Sequence, residues 1–251
     1  FLLQALNARL FNRQSSRRAF EVGIKHYDLG NDLYQAMLDK RMVYTCGYWK
    51  DADNLDDAQE AKLDLVCRKI GLKSGMQVLD IGCGCLRGGY WLIHFLDRGG
   101  YFGIDPNDRL IDAGLRHILE PGLAQEKQPK FNHNADFDLS VFSEKFDFMV
   151  AFSIWTHSPK VSIRTMLGGF HANSTPKGVF MVTYYPASLL HPEYNGGEWT
   201  RRQPGASKSA WARQKWSWIQ RECRDRGLQA ERQTSRDLRY WNQTWIKISR
   251  I

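Results

Sequence analysis

Apolar residues recur at helical spacing in the first part of the chain. Leu3, Leu6 and Leu10 fall on one stripe, which predicts a helix over residues 1–22. Residues 53–75, DNLDDAQEAKLDLVCRKIGLKSG, begin with an acidic turn and carry a similar apolar face, so they predict a second helix. Loop-rich segments with aromatic residues and glycines connect the two.

After residue 75 short apolar runs alternate with helical patterns. Buried parallel strands read as nearly continuous apolar runs, and helices between them are typical of βαβ units. The pattern therefore predicts an α/β fold with a mostly parallel sheet. No helical pattern separates the last two runs, which we expect to form an antiparallel pair at the sheet edge. The seven predicted strands are MQVLDIG, GYFGIDP, KFNHN, KFDFMVAFSI, GVFMVTYY, LQAERQTS and TWIKISRI. The helices between them are YWLIHFL, RLIDAGLRHIL, KVSIRTMLGGFHA and SAWARQKWSWIQRECRDRG.

Composition excludes several protein classes. The chain is 43% hydrophobic and 25% charged, which is ordinary for a globular domain rather than a disordered segment. No apolar run approaches the roughly 18 residues that span a bilayer, and no signal-peptide pattern is present, so we expect a cytoplasmic protein. The chain begins with Phe, and we expect a leading segment to be missing. The five cysteines lack a CxxC pair, which favours reduced thiols and no metal site.

Positive charge is concentrated at the end of the chain. Residues 201–251 contain 13 Lys and Arg against 4 Asp and Glu, a net charge of +9 in a chain of net charge +8. Such a segment suits an anionic membrane, an acidic substrate or nucleic acid, or is simply a solvated face. Trp211, Trp216 and Trp218 are candidates for contact with lipid headgroups, although they form no single stripe and core packing is favoured for Trp211 and Trp218. Nucleic acid is the less expected partner, since the chain carries no aromatic RNA-reading motif.

Glycines and one aspartate cluster where the first predicted strand ends, in VLDIGCGCLRGG at residues 78–89. Gly82 and Gly84 let the backbone turn sharply and approach a ligand closely. Ligands of open α/β sheets bind at this edge. A dinucleotide site uses similar glycines, so the glycines alone do not identify the ligand. Asp80, however, would repel a diphosphate and suits a ligand that carries an ammonium group.

The stretch LDIGCG resembles the first motif of the class I S-adenosylmethionine-dependent methyltransferases. The resemblance implies a Rossmann-like domain with a mostly parallel seven-stranded sheet that binds S-adenosylmethionine, a ligand with an amine and a sulfonium. Asp105 matches the family residue that binds the ribose hydroxyls. Asp136 falls at the adenine contact, with Phe137 beside it as a candidate stacking ring. Plain turn or capping roles remain alternatives for both aspartates. The implied cofactor residues in this domain are Asp80, Gly82, Cys83, Gly84, Asp105, Asp136 and Phe137.

Residues 10–84 resemble the cyclopropane fatty acid synthase family, through HYDLGND and YTCGY among other stretches. The family methylates lipid alkenes, and the resemblance implies that these segments fold over the cofactor. Residues 1–72 would then be a helical lid and residues 73–251 the methyltransferase domain. Longer members carry an extra N-terminal domain, which agrees with a missing start. The cofactor residues implied in the lid are Tyr27, Tyr44, Thr45 and Gly47.

The resemblance to the synthases ends after Gly84. A family Glu after the fourth strand is replaced by Thr156, and a family His would fall near Thr183. Both belong to the family's bicarbonate site together with Cys46, which is retained. The long insert that covers lipid after the fifth strand is absent or shortened. The second half instead resembles small class I methyltransferases that share DIGCGCLRGG and whose acceptors are mostly unassigned.

Two histidines are the candidate catalytic residues. Methyl transfer is an in-line displacement, for which the protein mainly supplies alignment and a dry site. Cyclopropane formation or the methylation of a polar group also needs a base. His157 follows the fourth strand and is our candidate base, with a loop hydrogen bond as the alternative. His26 is a candidate for orienting the lid. Tyr48, Tyr184 and Tyr185 either line an aromatic acceptor pocket or pack in the core.

These patterns predict a methyltransferase that uses S-adenosylmethionine and acts in lipid biosynthesis on a lipid-like or hydrophobic acceptor. We expect peripheral contact with an anionic membrane through the basic C-terminal segment. Two alternatives stay open at this level. One is methylation of a soluble small molecule or sugar at oxygen, nitrogen or carbon. The other is a cofactor-binding protein that has lost catalysis and acts by interaction.

Overall fold

The computed structural model describes residues 31–41, 43–200, 211–233 and 243–251. The chain divides into two compact units, Phe1–Val66 and Cys67–Ile251. The boundary that we expected after residue 72 and the covering role of the first unit stay predictions. The helix predicted over residues 1–22 lies outside the described residues.

The described part of the first unit contains helix α1, Asn31–Met37, and most of helix α2, Leu55–Lys69. Asn54 caps α2, because its Oδ1 accepts the N–H of Asp57 at 3.0 Å and its Nδ2 donates to the Asp57 carboxylate at 2.7 Å. The acidic first turn also faces the positive end of the helix dipole. Gly71 follows the helix with φ +84°, a conformation that glycine adopts at little cost.

The second unit is built around one sheet in the order β3-β2-β1-β4-β5-β8-β7. In this order, each neighbouring pair from β3 through β2, β1 and β4 to β5 is parallel. Strand β8 pairs antiparallel with both β5 and β7. The predicted sheet with its antiparallel edge is therefore confirmed. Its strands are β1 Val78–Ile81, β2 Tyr101–Ile104, β3 Lys130–Asn132, β4 Phe146–Ala151, β5 Ser174–Pro186, β6 Arg213–Gln214, β7 Leu228–Gln233 and β8 Thr244–Arg250. Its remaining helices are α3 Gly89–Phe95, α4 Asp108–His117, α5 Leu123–Lys127, α6 Lys160–Asn173 and α7 Trp216–Arg224.

Apolar side chains pack on both faces of this sheet. Val78 of β1 belongs to a buried cluster with Ile93 of α3. Its neighbour Leu79 belongs to a second cluster with Met166 of α6 and Ile219 of α7. Successive strand residues point to opposite faces, so helices cover both sides, which is why the strands read as continuous apolar runs. Within the described residues, no helix is both long enough and apolar enough to cross a membrane.

The last predicted helix is shorter than expected. It begins at Trp216, because Arg213 and Gln214 form β6 instead and pair with the end of β5 at Tyr185 and Pro186. Strand β5 runs well past the end of β4, which leaves its edge free to pair with β6. The short helix α5 was not predicted.

The tryptophans of the basic segment pack within the second unit. Trp218 is 4% exposed, and Trp216 packs against Tyr184 with ring centroids 6.3 Å apart. Trp211 packs against His157 and Tyr185. Core packing, the alternative favoured from the sequence for Trp211 and Trp218, is confirmed for the buried Trp218, and contact of the tryptophans with lipid headgroups stays a prediction. Tyr184 is fully buried, so for this residue core packing is the correct alternative.

Candidate functional site

Two loops meet where the strand order reverses between β1 and β4. The first contains Gly82, whose φ is +78°, and the second contains Ile154. A Cβ atom at Gly82 would collide with the Ile154 side chain. Only glycine satisfies both the left-handed backbone and this contact. The crevice beyond such a switch point is where open α/β sheets bind ligands.

Asp105 connects the glycine loop to the loop after β2. Its Oδ2 accepts the N–H of Gly84 at 3.0 Å, and its Oδ1 accepts the N–H of Asn107 at 2.9 Å. The turn role considered from the sequence is therefore present. Each carboxylate oxygen keeps lone-pair capacity, so Asp105 can accept further hydrogen bonds from ribose hydroxyls. Gly84 has φ +51°, and within the described chain no atom lies within 4 Å of a Cβ built on it.

Asp80 is a buried carboxyl at the end of β1. It is 7% exposed and accepts a hydrogen bond from the Tyr101 hydroxyl at 2.9 Å. Burial raises the pKa of Asp80 to about 6; the Tyr101 hydrogen bond opposes this shift and the nearby Asp105 charge adds to it. The Tyr101 hydroxyl occupies the space that a Cβ would need at Gly89, the first residue of α3. Sequence reasoning missed Tyr101, since nothing in its strand pattern marks a polar partner.

Cys83 is a packing residue of the loop. Its side chain is 6% exposed, and its Sγ lies where a Cβ at Gly103 would be. Burial raises the pKa of the Cys83 thiol far above its usual range, with the charges of Asp80 and Asp105 acting in the same direction. The thiol is therefore not an acid–base group at neutral pH.

Asp136 and Phe137 follow β3, as the sequence predicted. Asp136 is exposed, and its Oδ1 accepts the N–H of Asp138 at 3.3 Å. Phe137 has φ +60° and stacks on Trp199 with ring centroids 5.9 Å apart. One face of the Phe137 ring is thus taken by the protein. The adenine contacts proposed for these two residues stay predictions.

His157 stands on the loop after β4 between two tryptophan rings. Its ring centroid lies 6.1 Å from that of Trp199 and 4.8 Å from that of Trp211. Nδ1 lies 3.2 Å from the carbonyl oxygen of Thr200. A carbonyl only accepts, so Nδ1 carries the proton in this contact, and among the described residues no group bonds to Nε2, which remains an acceptor in the neutral ring. Burial lowers the pKa of His157, and the Thr200 hydrogen bond opposes this.

Trp199 and Thr200 are site residues that sequence reasoning missed. The Thr200 N–H also donates to the His157 carbonyl at 2.9 Å, so the two segments hold each other in place. Their separation along the sequence hides this pairing, and no local motif marks it.

Thr156 and Thr183 stand where the synthase family has the Glu and the His of its bicarbonate site, and here they have another role. Thr156 Oγ1 donates to the carbonyl of Ser153 at 2.8 Å, and Thr183 Oγ1 accepts the N–H of Ser153 at 2.7 Å. Both threonines are fully buried and neutral. These side chains hold the backbone of Ser153 and supply neither the acid nor the imidazole of the family pattern. They do not fit bicarbonate.

Three predicted cofactor residues lie in the first unit beside α2. Tyr44 is 56% exposed. The Thr45 carbonyl accepts from Gln59 Nε2 at 2.6 Å, and Gly47 lies so close to Ala58 that a Cβ would not fit. Helix α2 thus fixes this segment, and its contact with the cofactor stays a prediction.

Two predicted site residues, His26 and Tyr27, lie outside the described residues. Across the described ranges, no group of three or more His, Cys, Asp or Glu side chains is arranged to hold a metal ion. The five cysteines of the chain all carry free thiols.

The chain has the fold of the class I S-adenosylmethionine-dependent methyltransferases. The magnesium protoporphyrin IX methyltransferase of Synechocystis PCC 6803, solved with bound S-adenosylmethionine, superposes with a TM-score of 0.52 at 16% identity, covering 76% of this chain and 79% of that one. The same enzyme solved with S-adenosylhomocysteine also gives 0.52, covering 81% and 90%. The predicted fold is confirmed.

More particularly, the chain is related to the cyclopropane synthases. Residues 14–105 match the family model of mycolic acid cyclopropane synthetases. The cyclopropane-fatty-acyl-phospholipid synthase of Escherichia coli strain K12 is 39% identical over 181 residues, which cover 72% of this chain and 44% of that protein. The chain therefore spans less than half the length of the curated relatives it matches. The family match continues to residue 105, so the relationship reaches beyond Gly84, where the motifs had suggested an end.

Proposed function

We propose that this protein transfers the methyl group of S-adenosylmethionine to a lipid-like acceptor, with His157 as the base. The observation that carries the catalytic assignment is the Nε2 of His157, to which no described residue bonds, on a loop that touches the glycine loop through Ile154. Relatedness to a phospholipid-modifying synthase supports the acceptor class.

The glycine loop and two aspartates fit the proposed cofactor. The open space at Gly84 lets a ligand approach the backbone, and Asp105 offers acceptors for ribose hydroxyls. Asp80 in its ionised form supplies the negative charge that an ammonium group needs. When bound, S-adenosylmethionine supplies a methyl group already activated by its sulfonium.

His157 takes the proton that leaves after methyl transfer, from the acceptor in a simple methylation or from the added methyl group in cyclopropane formation. Its lowered pKa keeps the imidazole neutral at physiological pH, as a base requires. The Thr200 carbonyl fixes the ring with Nε2 as the proton acceptor. The Trp199 and Trp211 rings lie against the imidazole and supply apolar surroundings for it.

The loop after β5 carries the apolar side chains for membrane contact in this proposal. Leu189 and Leu190 are 104% and 88% exposed. Strand β5 is parallel to β4, so the loop leaves the same edge of the sheet that carries His157. Together with the net charge of +9 in residues 201–251, two free leucines suit an anionic bilayer from which a lipid enters the site. We propose that the protein is cytoplasmic and docks peripherally.

Labelled S-adenosylmethionine tests the proposal. We expect label to enter unsaturated phosphatidylglycerol in vesicles at low salt, and label found only in aqueous acceptors would contradict the lipid assignment. A trideuteromethyl cofactor then identifies the product by mass. A simple methyl product keeps every deuteron, whereas a cyclopropane loses one to the base.

A further inference from the structure

Ser153 is held in an unfavourable backbone conformation by three side chains. Its φ is +59°, which costs free energy for any residue with a Cβ. Thr183 accepts its N–H, Thr156 donates to its carbonyl, and Gln243 Nε2 donates to its Oγ at 2.7 Å. Strained residues persist only where the surroundings fix them, and they concentrate at functional sites. The position of the Ser153 hydroxyl is therefore specified by the fold.

The same hydrogen bonds leave an unused donor and an unused acceptor. Gln243 is 5% exposed, and its Oε1 accepts no hydrogen bond from any described residue. A buried polar atom without a partner is costly, so its occurrence calls for a ligand. Ser153 Oγ accepts from Gln243, no described residue accepts its own hydrogen, and the residue is partly exposed. In either orientation of the Gln243 amide, the pair offers one donor and one acceptor.

Ser153 lies on the loop after β4 that also carries His157, and Gln243 reaches it from the residue before β8. The residue after Ser153, Ile154, contacts Gly82, and its carbonyl accepts the N–H of His157 at 3.1 Å. A group bound at Ser153 is thus next to both partners of the proposed methyl transfer.

We propose that Ser153 and Gln243 form an acceptor subsite that binds a hydroxyl group. This inference rests on the proposed function and names a feature of its acceptor. Ser153, Thr156, Thr183 and Gln243 are all neutral, so an anionic group would lose hydration without compensation. An unsubstituted acyl chain would leave both polar atoms unpartnered. A hydroxyl both donates and accepts, and so satisfies Gln243 Oε1 and Ser153 Oγ together.

Two fatty acids that differ by one hydroxyl test the subsite. Ricinoleate and oleate, below their micelle concentrations, are titrated calorimetrically into the full chain saturated with S-adenosylhomocysteine. We expect the wild type to bind ricinoleate roughly tenfold more tightly than oleate, as two hydrogen bonds imply. Ser153→Gly and Gln243→Met should each bind the two acids with nearly equal affinity.

The variants separate ligand recognition from folding. Ser153→Gly removes the hydroxyl but suits a positive φ, so the fold is retained. Ser158→Ala is the matched control, since its Oγ donates to the Ile154 carbonyl in the same turn without touching Ser153. It should keep the preference for ricinoleate, and all variants should keep their affinity for S-adenosylhomocysteine.

Equal affinity of the wild type for the two acids would overturn the inference, as would a preference that survives both Ser153→Gly and Gln243→Met. Labelled methyl transfer to phosphatidylglycerol is measured separately. Its absence would count against lipid methylation, while the binding preference would still decide the hydroxyl subsite.

Discussion

At the scale of single residues, hydrogen-bond partners decide which atoms are available for chemistry. Thr200 fixes the proton of His157 on Nδ1 and leaves Nε2 free. The Tyr101 hydroxyl similarly donates to Asp80, which partly offsets the cost of its buried charge. Neither partner is close to its residue in sequence.

Replacement of His157 by Gln tests the base. We expect kcat to fall roughly a hundredfold or more, because general-base catalysis contributes about 10²- to 10⁴-fold, while affinity for S-adenosylhomocysteine stays unchanged. His117→Gln, at an exposed position on α4, is the control and should retain activity. Because burial lowers the pKa of His157, wild-type kcat should decline on acidification only below the ordinary histidine value of about 6.5. An unchanged kcat in His157→Gln would refute the assignment.

Asp80 gives a prediction about stability and pH. Its pKa rises from 3.8 to about 6 on folding, so ionisation destabilises the fold increasingly as pH rises between these values, and by a constant amount above. Asp80→Asn avoids this cost, and at pH 7.5 we expect its free energy of unfolding to exceed that of the wild type by up to about 3 kcal/mol. Near pH 4 the difference should be small. Urea unfolding without cofactor measures it.

The same substitution should weaken cofactor binding. Loss of the carboxylate removes the partner of the ammonium group, so affinity for S-adenosylmethionine should fall at pH 7.5. Wild-type affinity should itself decline below pH 6 as Asp80 is protonated. Retained affinity in Asp80→Asn would contradict the proposed role.

At the scale of elements, the glycine loop contains two glycines with different roles. Gly82 is needed for the fold, and Gly84 is the glycine that we propose faces the ligand. Gly82→Ala should destabilise the fold, since the new Cβ meets Ile154 and the φ is positive. Gly84→Ala has space for its Cβ and should cost only about 1 kcal/mol of backbone strain, yet weaken S-adenosylhomocysteine binding. Thermal unfolding and calorimetry of both variants distinguish these effects. An equal loss of stability in Gly82→Ala and Gly84→Ala would contradict the different roles of the two glycines.

The loop after β5 gives a second prediction for an element. The double change Leu189→Ser and Leu190→Ser should weaken binding to phosphatidylglycerol vesicles roughly ten- to a hundredfold, because two leucines no longer enter the bilayer. Thermal stability should be unchanged, since both side chains are exposed. Val161→Ser, at an exposed apolar position on α6, is the control. Vesicle sedimentation that does not distinguish the double variant from the wild type would refute the contact.

At the scale of the whole molecule, the sheet topology assembles the site. Asp80 lies in β1, Asp105 and His157 follow β2 and β4, and the reversal between β1 and β4 brings these strand ends to one edge. Asp80 and His157 were predicted from local patterns, because strand ends and glycine spacing are local properties, whereas Asp105 was implied by the resemblance to the methyltransferases. The basic tryptophan segment left two alternatives open, since a ring that packs in a core and one that lies at a surface have the same local sequence.

The sequence by itself determined the α/β alternation, the antiparallel final pair and the acidic glycine loop. All three depend on residue periodicity and on backbone conformations that neighbouring residues set. Only the tertiary structure decided which ring nitrogen of His157 has a described partner, which side chains hold Ser153 and that Leu189 and Leu190 are exposed. Those features come from contacts such as Ser153 with Gln243 and His157 with Thr200, between segments far apart along the chain. Periodicity shows on which face of its helix or strand a residue lies, whereas such pairs form only when the sheet brings distant loops together.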